Sequence, residues 1–352
     1  MSKLPYFNKS EINIQELNRY LNSNMRDDRI KAIHYLTESR IESAVSNLRK
    51  LIELDPDPIV REVAIVALSK FQFDDYIEFF TKITRGTIER NNFVRARAVW
   101  AVGRIDSPQV YNVLIKGIRE DHAEIQHWSI VGLLHQKKST IPIQELGELL
   151  KKTNNHFIRQ TIVWVLGNTG QTAAVKLLTD VIIKDKNAQV RLTATWALRR
   201  INDIGSISGL VYALKNELNE LAKRELAITI GSILDSTENL EVNTFESSVN
   251  TRKEAIRVIS LVLQRDTCYY VRRACAETLA KINDIEALPV LINTYASDVN
   301  QFVRSEIAHT LGILGDIRAL PVLKKSLRSH YKRVVFAAQE AIKRIQQNGG
   351  KN

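Results

Sequence analysis

Asn187-Ala-Gln-Val-Arg-Leu-Thr-Ala-Thr-Trp-Ala-Leu-Arg-Arg-Ile201 reads as one amphipathic helix. Val190, Ala194, Leu198 and Ile201 recur at the 3.6-residue period and form a single apolar stripe. Asn187 stands ahead of them as an N-cap, since its amide oxygen can accept from early backbone N–H groups that have no partner within the helix. Versions of this stretch recur along the chain. Val-Arg stands at Val60-Arg61, Val94-Arg95, Val190-Arg191, Val271-Arg272 and Val303-Arg304, with Ile158-Arg159 as a near match. Each is followed by a small or apolar residue at +3 and by Leu or Val at +7.

Taking the Arg as a marker gives Arg29, Arg61, Arg95, Gln126, Arg159, Arg191, Lys223, Arg272, Arg304 and Val335. Successive markers are 31 to 34 residues apart, except for 49 between Lys223 and Arg272. A second helix precedes each marker helix, as in Ala287–Tyr295, where Pro289 falls in the first turn and its missing N–H costs little. A helix pair repeated at this period predicts an all-α solenoid of nine or ten repeats wound into a right-handed superhelix. Four residues before the marker stand Asp57, Asn91, Asn155, Asn187, Asn219 and Asn300, all preferred caps. A ladder of these Asp/Asn caps and marker arginines is expected to join neighbouring repeats, which makes the marker arginines scaffold.

The pattern D/N-x-x-x-[VI]-R, with Leu-Gly at +7 and +8 in Leu166-Gly167 and Leu311-Gly312, resembles the HEAT repeat. The short period and phrases such as Ala98–Ile105 and Asp316–Leu323 are similar to the HEAT-like repeats of the phycobilisome lyase group. The resemblance covers roughly residues 25 to 346. It implies the fold above. It also implies one activity, a phycobilin lyase type in which an open-chain tetrapyrrole stacks on tryptophan, with its propionates on Arg97, Arg104 or Arg200 and heterodimer formation. The His-Glu dipeptides of the HEAT-repeat di-iron hydroxylases are absent.

Composition bounds the rest. Hydrophobic residues make up 44% and charged residues 25%, as in ordinary globular chains. No apolar run approaches the ~18 residues of a membrane span, and the first residues lack a signal-peptide core, so a cytoplasmic or stromal location is expected. Cys268 and Cys275 are too few for a disulfide framework or a tetrahedral zinc site; Cys275 at +3 reads as a small core residue. Five segments are expected: a capping segment 1–24 whose helix begins after Ser10, repeats 25–234, an acidic inserted loop 235–250, repeats 251–346 with a basic end, and a disordered tail 347–352. From Arg318 onward nine basic residues face one acid, so this end carries +8 of the net +11.

If −1, +3 and +7 face the core, then +2, +5 and +9 lie on the opposite side at about 100° per residue. All four tryptophans fall there: Trp100, Trp164 and Trp196 at +5, Trp128 at +2, interleaved with Arg97, Arg104 and Arg200. Rings that merely fill space between repeats are one reading. Confinement to four consecutive repeats, beside arginines that gain nothing from a core, favours a binding groove on the concave face, because Trp and Arg dominate interface energies. Lys324, Lys325, Arg328, Lys332, Arg333, Lys343 and Arg344 form a basic patch able to attract an acidic partner or nucleic acid, or a solvated end face. There is no G-x-x-x-x-G-K-[ST], H-E-x-x-H or C-x-x-C, and Gly167–Gly170 is a helix terminus. The expected function is a non-catalytic scaffold for a protein partner, without cofactor or metal; a bilin lyase and a nucleic-acid binder are the alternatives.

Overall fold

A computed structural model describes residues 14–39, 44–71, 75–136, 141–236 and 246–347. They fall into two compact units, Met1–Ile141 and Pro142–Asn352. The first holds α1 (Ile14–Leu21), α2 (Arg26–Ser39), α3 (Ala44–Leu54), α4 (Pro58–Leu68), α5 (Tyr76–Thr84), α6 (Asn92–Val102), α7 (Pro108–Ile118) and α8 (Ala123–Gly132). The second holds α9 (Ile143–Lys152), α10 (His156–Thr169), α11 (Val175–Lys184), α12 (Ala188–Ile201), α13 (Ile207–Asn216) and α14 (Glu220–Ser236). It continues with α15 (Glu246–Arg265), α16 (Tyr269–Ile282), α17 (Leu288–Ser297), α18 (Gln301–Leu314), α19 (Leu320–Ser326) and α20 (Lys332–Gln347). The described residues thus form ten helix pairs and no strand, a solenoid whose even-numbered helices carry the markers.

Within each unit, successive marker helices stack on one another and each packs on the helix before it. The stripe read from the sequence is the core: Val190, Ala194 and Leu198 are fully buried, as are Val60, Ala64 and Leu68 in the first unit. Cys275 is buried as expected, and burial pushes its thiol pKa up. Glycine at +8 permits close stacking. A Cβ placed on Gly167 would come within 2.5 Å of the Ala197 Cβ on the next marker helix. In the second unit α10, α12, α16 and α18 end where a residue turns left-handed, at Gly170 (φ 67°), Asn202 (φ 59°), Asn283 (φ 51°) and Gly315 (φ 70°).

The proposed caps all cap their own helices; Asn187 Oδ1, for example, accepts from the N–H groups of Gln189 and Val190 at 2.8 and 3.3 Å. The marker arginines, however, do not pair with the caps. Arg191 reaches Glu217 in the next repeat, with Nε to Oε2 at 2.7 Å and Nη2 to Oε1 at 2.6 Å, while Nη1 donates to the Asp185 carbonyl at 2.9 Å. Glu217 also accepts the N–H of the cap residue Asn219 at 2.9 Å. The same bridge joins Arg29 to Asp55, Arg61 to Glu89, Arg95 to Glu120, Arg159 to Asp185, Lys223 to Asp266 and Arg272 to Asp298. The ladder's acid therefore lies six residues before the next marker. The physical reason is reach: the cap oxygen is committed to its own helix, whereas the residue two positions earlier faces the preceding guanidinium.

The ends of the segment expected as an acidic loop, 235–250, are helical. Asp235 and Ser236 close α14, Glu246–Asn250 open α15, and 237–245 lie outside the described residues. The expected N-terminal helix begins at Ile14, with Leu17 buried; residues 1–13 and 348–352 lie outside the described residues.

Because the Glu217 side chain is only 3% exposed, Arg191→Ala strands a buried carboxylate, and a loss on the order of 1 to 3 kcal/mol is expected in denaturant melts. Burial alone would raise the Glu217 pKa, but the Arg191 guanidinium and the Asn219 and Leu218 N–H groups more than offset it and hold it below its ordinary value. Such a group contributes stability above its unfolded pKa of ~4.3 and loses it as pH falls through the folded value. Glu217→Gln should accordingly flatten the acid side of the melting-temperature profile.

Candidate functional site

In the first unit, α6 and α8 bring Trp100 and Trp128 together at a ring-centroid distance of 6.4 Å and an interplanar angle of 75°. Both rings are half-buried. The guanidinium carbons of Arg97 and Arg104 lie 5.8 and 5.7 Å from the Trp100 ring, within cation–π range. Arg97 is also held by Glu62 at 3.6 Å, whereas Arg104 is exposed and has no carboxylate partner among the described residues. His127 packs on Trp128 at 4.9 Å, and burial lowers its pKa, so the imidazole is neutral at physiological pH. A small cleft of about 190 Å³ opens among Trp100, Arg104, Trp128 and His135.

Trp100 and Arg104 also form one wall of an open groove of about 1350 Å³, whose other walls come from α4, α5 and α7. Lys70, Arg85 and Arg104 line it without carboxylate partners among the described residues, whereas Asp75 pairs with Arg49 at 2.9 Å and Glu78 with Lys82 at 2.9 Å. The groove therefore offers net positive charge beside aromatic surface. Tyr76 contributes a half-buried phenol whose pKa burial pushes up to about 12, so it stays neutral. Lys70 lies at +9 of its marker helix, one of the outward positions of the sequence pattern, although its type alone did not single it out as a site residue; Tyr76 and Arg85 belong to an odd-numbered helix and its cap, outside the marker pattern.

In the second unit, Trp164 is 38% exposed on α10 and Trp196 half-buried on the adjacent α12, with the Arg200 guanidinium 5.5 Å from the Trp196 ring. Among the described residues no ring contact joins these two tryptophans, so the four fall into two local arrangements, one in each unit. None of the four is a buried core residue. The basic patch also divides. Lys324, Lys325, Arg328, Lys332 and Arg333 gather at the α19–α20 turn, while Lys343 and Arg344 lie about 16 Å farther along α20 at ~1.5 Å per residue.

Comparison with known proteins bears on the repeats. The family model described as HEAT repeats matches residues 143–231 and 256–343, half of the chain. The chain is a member of the HEAT-repeat family. A second model, the PBS lyase HEAT-like repeat, matches residues 94–120, which include Arg97, Trp100 and Arg104. No curated protein sequence matches. Among solved structures, the karyopherin Kap121p bound to the extreme C-terminus of the protein phosphatase Cdc14p is similar over 94% of this chain and 45% of that one, at 11% identity and a TM-score of 0.61. Importin beta is similar over 94% and 50%, at 12% identity and a TM-score of 0.56. The chain spans about half the length of these structures, and at such identities the likeness is one of fold. No described helix is long and apolar enough to cross a membrane.

The four tryptophans should all be reached by acrylamide, with emission displaced to the red of core tryptophan. A quencher-resistant fraction would contradict their placement.

Proposed function

We propose that this HEAT-repeat protein is a non-catalytic scaffold that binds a segment of another protein on the first unit, across Trp100, Trp128 and the adjoining cationic groove. The single observation that carries the reading is the pair of half-exposed indoles with guanidinium groups beside them. Each ring is held by its neighbours and only half-buried, so little side-chain entropy remains to be lost on binding. An extended segment bearing apolar and acidic side chains fits this surface, its carboxylates meeting Lys70, Arg85 and Arg104. The binding of a phosphatase C-terminus by a karyopherin of similar fold supports the same use of a helical repeat array. Trp164, Trp196 and Arg200 offer a second contact of the same chemistry on the second unit.

A second reading is supported by the family match over Arg97–Arg104. An indole between two guanidinium groups also suits a flat dicarboxylate, and an open-chain tetrapyrrole is the ligand that the PBS lyase resemblance implies. Visible absorbance acquired on co-production with a bilin would favour it.

The test is a Trp100→Ala/Trp128→Ala double variant, with binding measured against partners recovered from native lysate by the wild-type chain. It should keep its helical content and melt within a few degrees of wild type while losing at least about 2 kcal/mol of affinity, as hot-spot residues do. Unchanged affinity in a well-folded double variant would remove the site from the first unit.

A further inference from the structure

Arg304, the marker of α18, ends the ladder without a carboxylate. The position six residues before the next marker, Val335, is Ser329. Arg304 Nη2 donates to the neutral Ser326 hydroxyl at 3.0 Å, its guanidinium carbon lies 5.4 Å from the Tyr295 ring, and its Nε is buried with no partner. In the preceding repeat the equivalent atoms of Arg272 hold Asp298 at 2.7 and 3.1 Å. The cap changes as well. Tyr331 occupies the place that Asn300 takes in α18, so α20 begins without the side-chain acceptor that serves Phe302 and Val303.

Around this half-empty pair stand Lys324, Lys325, Arg328, Lys332 and Arg333, all exposed and none in an ion pair among the described residues. Glu306, two residues from Arg304, is taken by Arg273 at 3.0 Å, Asp316 is taken by Arg318 at 2.8 Å, and after Asp316 the sequence has only Glu340. We propose that this end of the second unit binds an acidic peptide segment, one of whose carboxylates pairs with Arg304 as Asp298 pairs with Arg272. An entering carboxylate takes Nη2 from Ser326 and satisfies the buried Nε, and flanking acids meet the exposed lysines and arginines. A planar, forked acceptor matches the guanidinium geometry repeated along the ladder. A single-stranded nucleic acid would use the exposed Tyr331 ring for stacking, but the filled guanidinium groups of the ladder hold carboxylates, as Arg272 holds Asp298.

Ser329→Glu tests this directly. It restores an acid 25 residues after the marker, the spacing at which Glu120 pairs with Arg95. In the full-length chain the variant should melt higher than wild type and bind a fluorescein-labelled oligoglutamate peptide at least about tenfold more weakly. Arg304→Gln should show the same loss of binding without the gain in stability. Ser329→Gln, which adds the same bulk without the charge, should bind the peptide as wild type does, which separates occupation of Arg304 by the new carboxylate from crowding of the surface. Three results would each overturn the proposal: oligoglutamate binding no tighter than oligoglutamine, unchanged peptide affinity in both Ser329→Glu and Arg304→Gln, or a single-stranded oligonucleotide of equal charge binding more tightly than the peptide.

Discussion

A guanidinium that reaches forward into the next repeat is the interaction on which this structure depends. A single helix pair cannot bury its own apolar stripe; it needs neighbours, and each neighbour must arrive in the correct register. The apolar stripe supplies attraction but tolerates sliding, since methyl groups against methyl groups are not directional. The bridge from Arg191 to Glu217 is directional at both ends, and through the Asn219 N–H it positions the residue that caps the following helix. Charge, cap and helix start are thereby linked in one chain of hydrogen bonds. Glycine at +8 lets the stacked helices approach closely enough for that chain to connect, as the contact of Gly167 with Ala197 illustrates.

Much of this was legible in the sequence, and the reasons differ by residue. Val190, Ala194 and Leu198 announce themselves by spacing, and Asn187 by its type ahead of an apolar run, because both are local properties of one helix. Glu217 is as regularly spaced as the arginines, but its role lies in a neighbouring repeat and its identity alternates between Asp and Glu. Periodic reading fastened on the cap two residues later instead. Helical phase alone puts the tryptophans opposite the core stripe; in the structure Trp100, Trp128 and Trp196 are half-buried and Trp164 is exposed. Their division between two local arrangements, and the groove walls supplied by Tyr76 and Arg85, depend on packing between helices that share no pattern. The separation of Lys343 and Arg344 from the other cations likewise follows from the length of α20, not from their closeness in sequence.

The same residue type does opposite work in different places here. Arginine with a carboxylate partner is framework; arginine without one is an uncompensated charge, exposed at Arg104 and half-buried against Tyr295 and Ser326 at Arg304. What separates the two is the residue opposite, so a change of Asp to Ser at one ladder position turns a structural group into an available one. Two positions of the pattern carry no charge: Gln126 Nε2 donates to the Ile118 carbonyl at 3.4 Å, and Thr153 Oγ1 accepts from the Asn155 N–H at 3.2 Å, as Asp185 accepts from Asn187.

The bridge between Lys223 and Asp266 spans 43 residues of chain where Arg191 and Glu217 are 26 apart, yet its length is 2.7 Å, as short as the others. Register is thus set by side chains meeting in space and not by the number of residues between them. The helices of this repeat, α14 and α15, have 17 and 20 residues where α12 and α13 have 14 and 10, and the contact with the next repeat is kept.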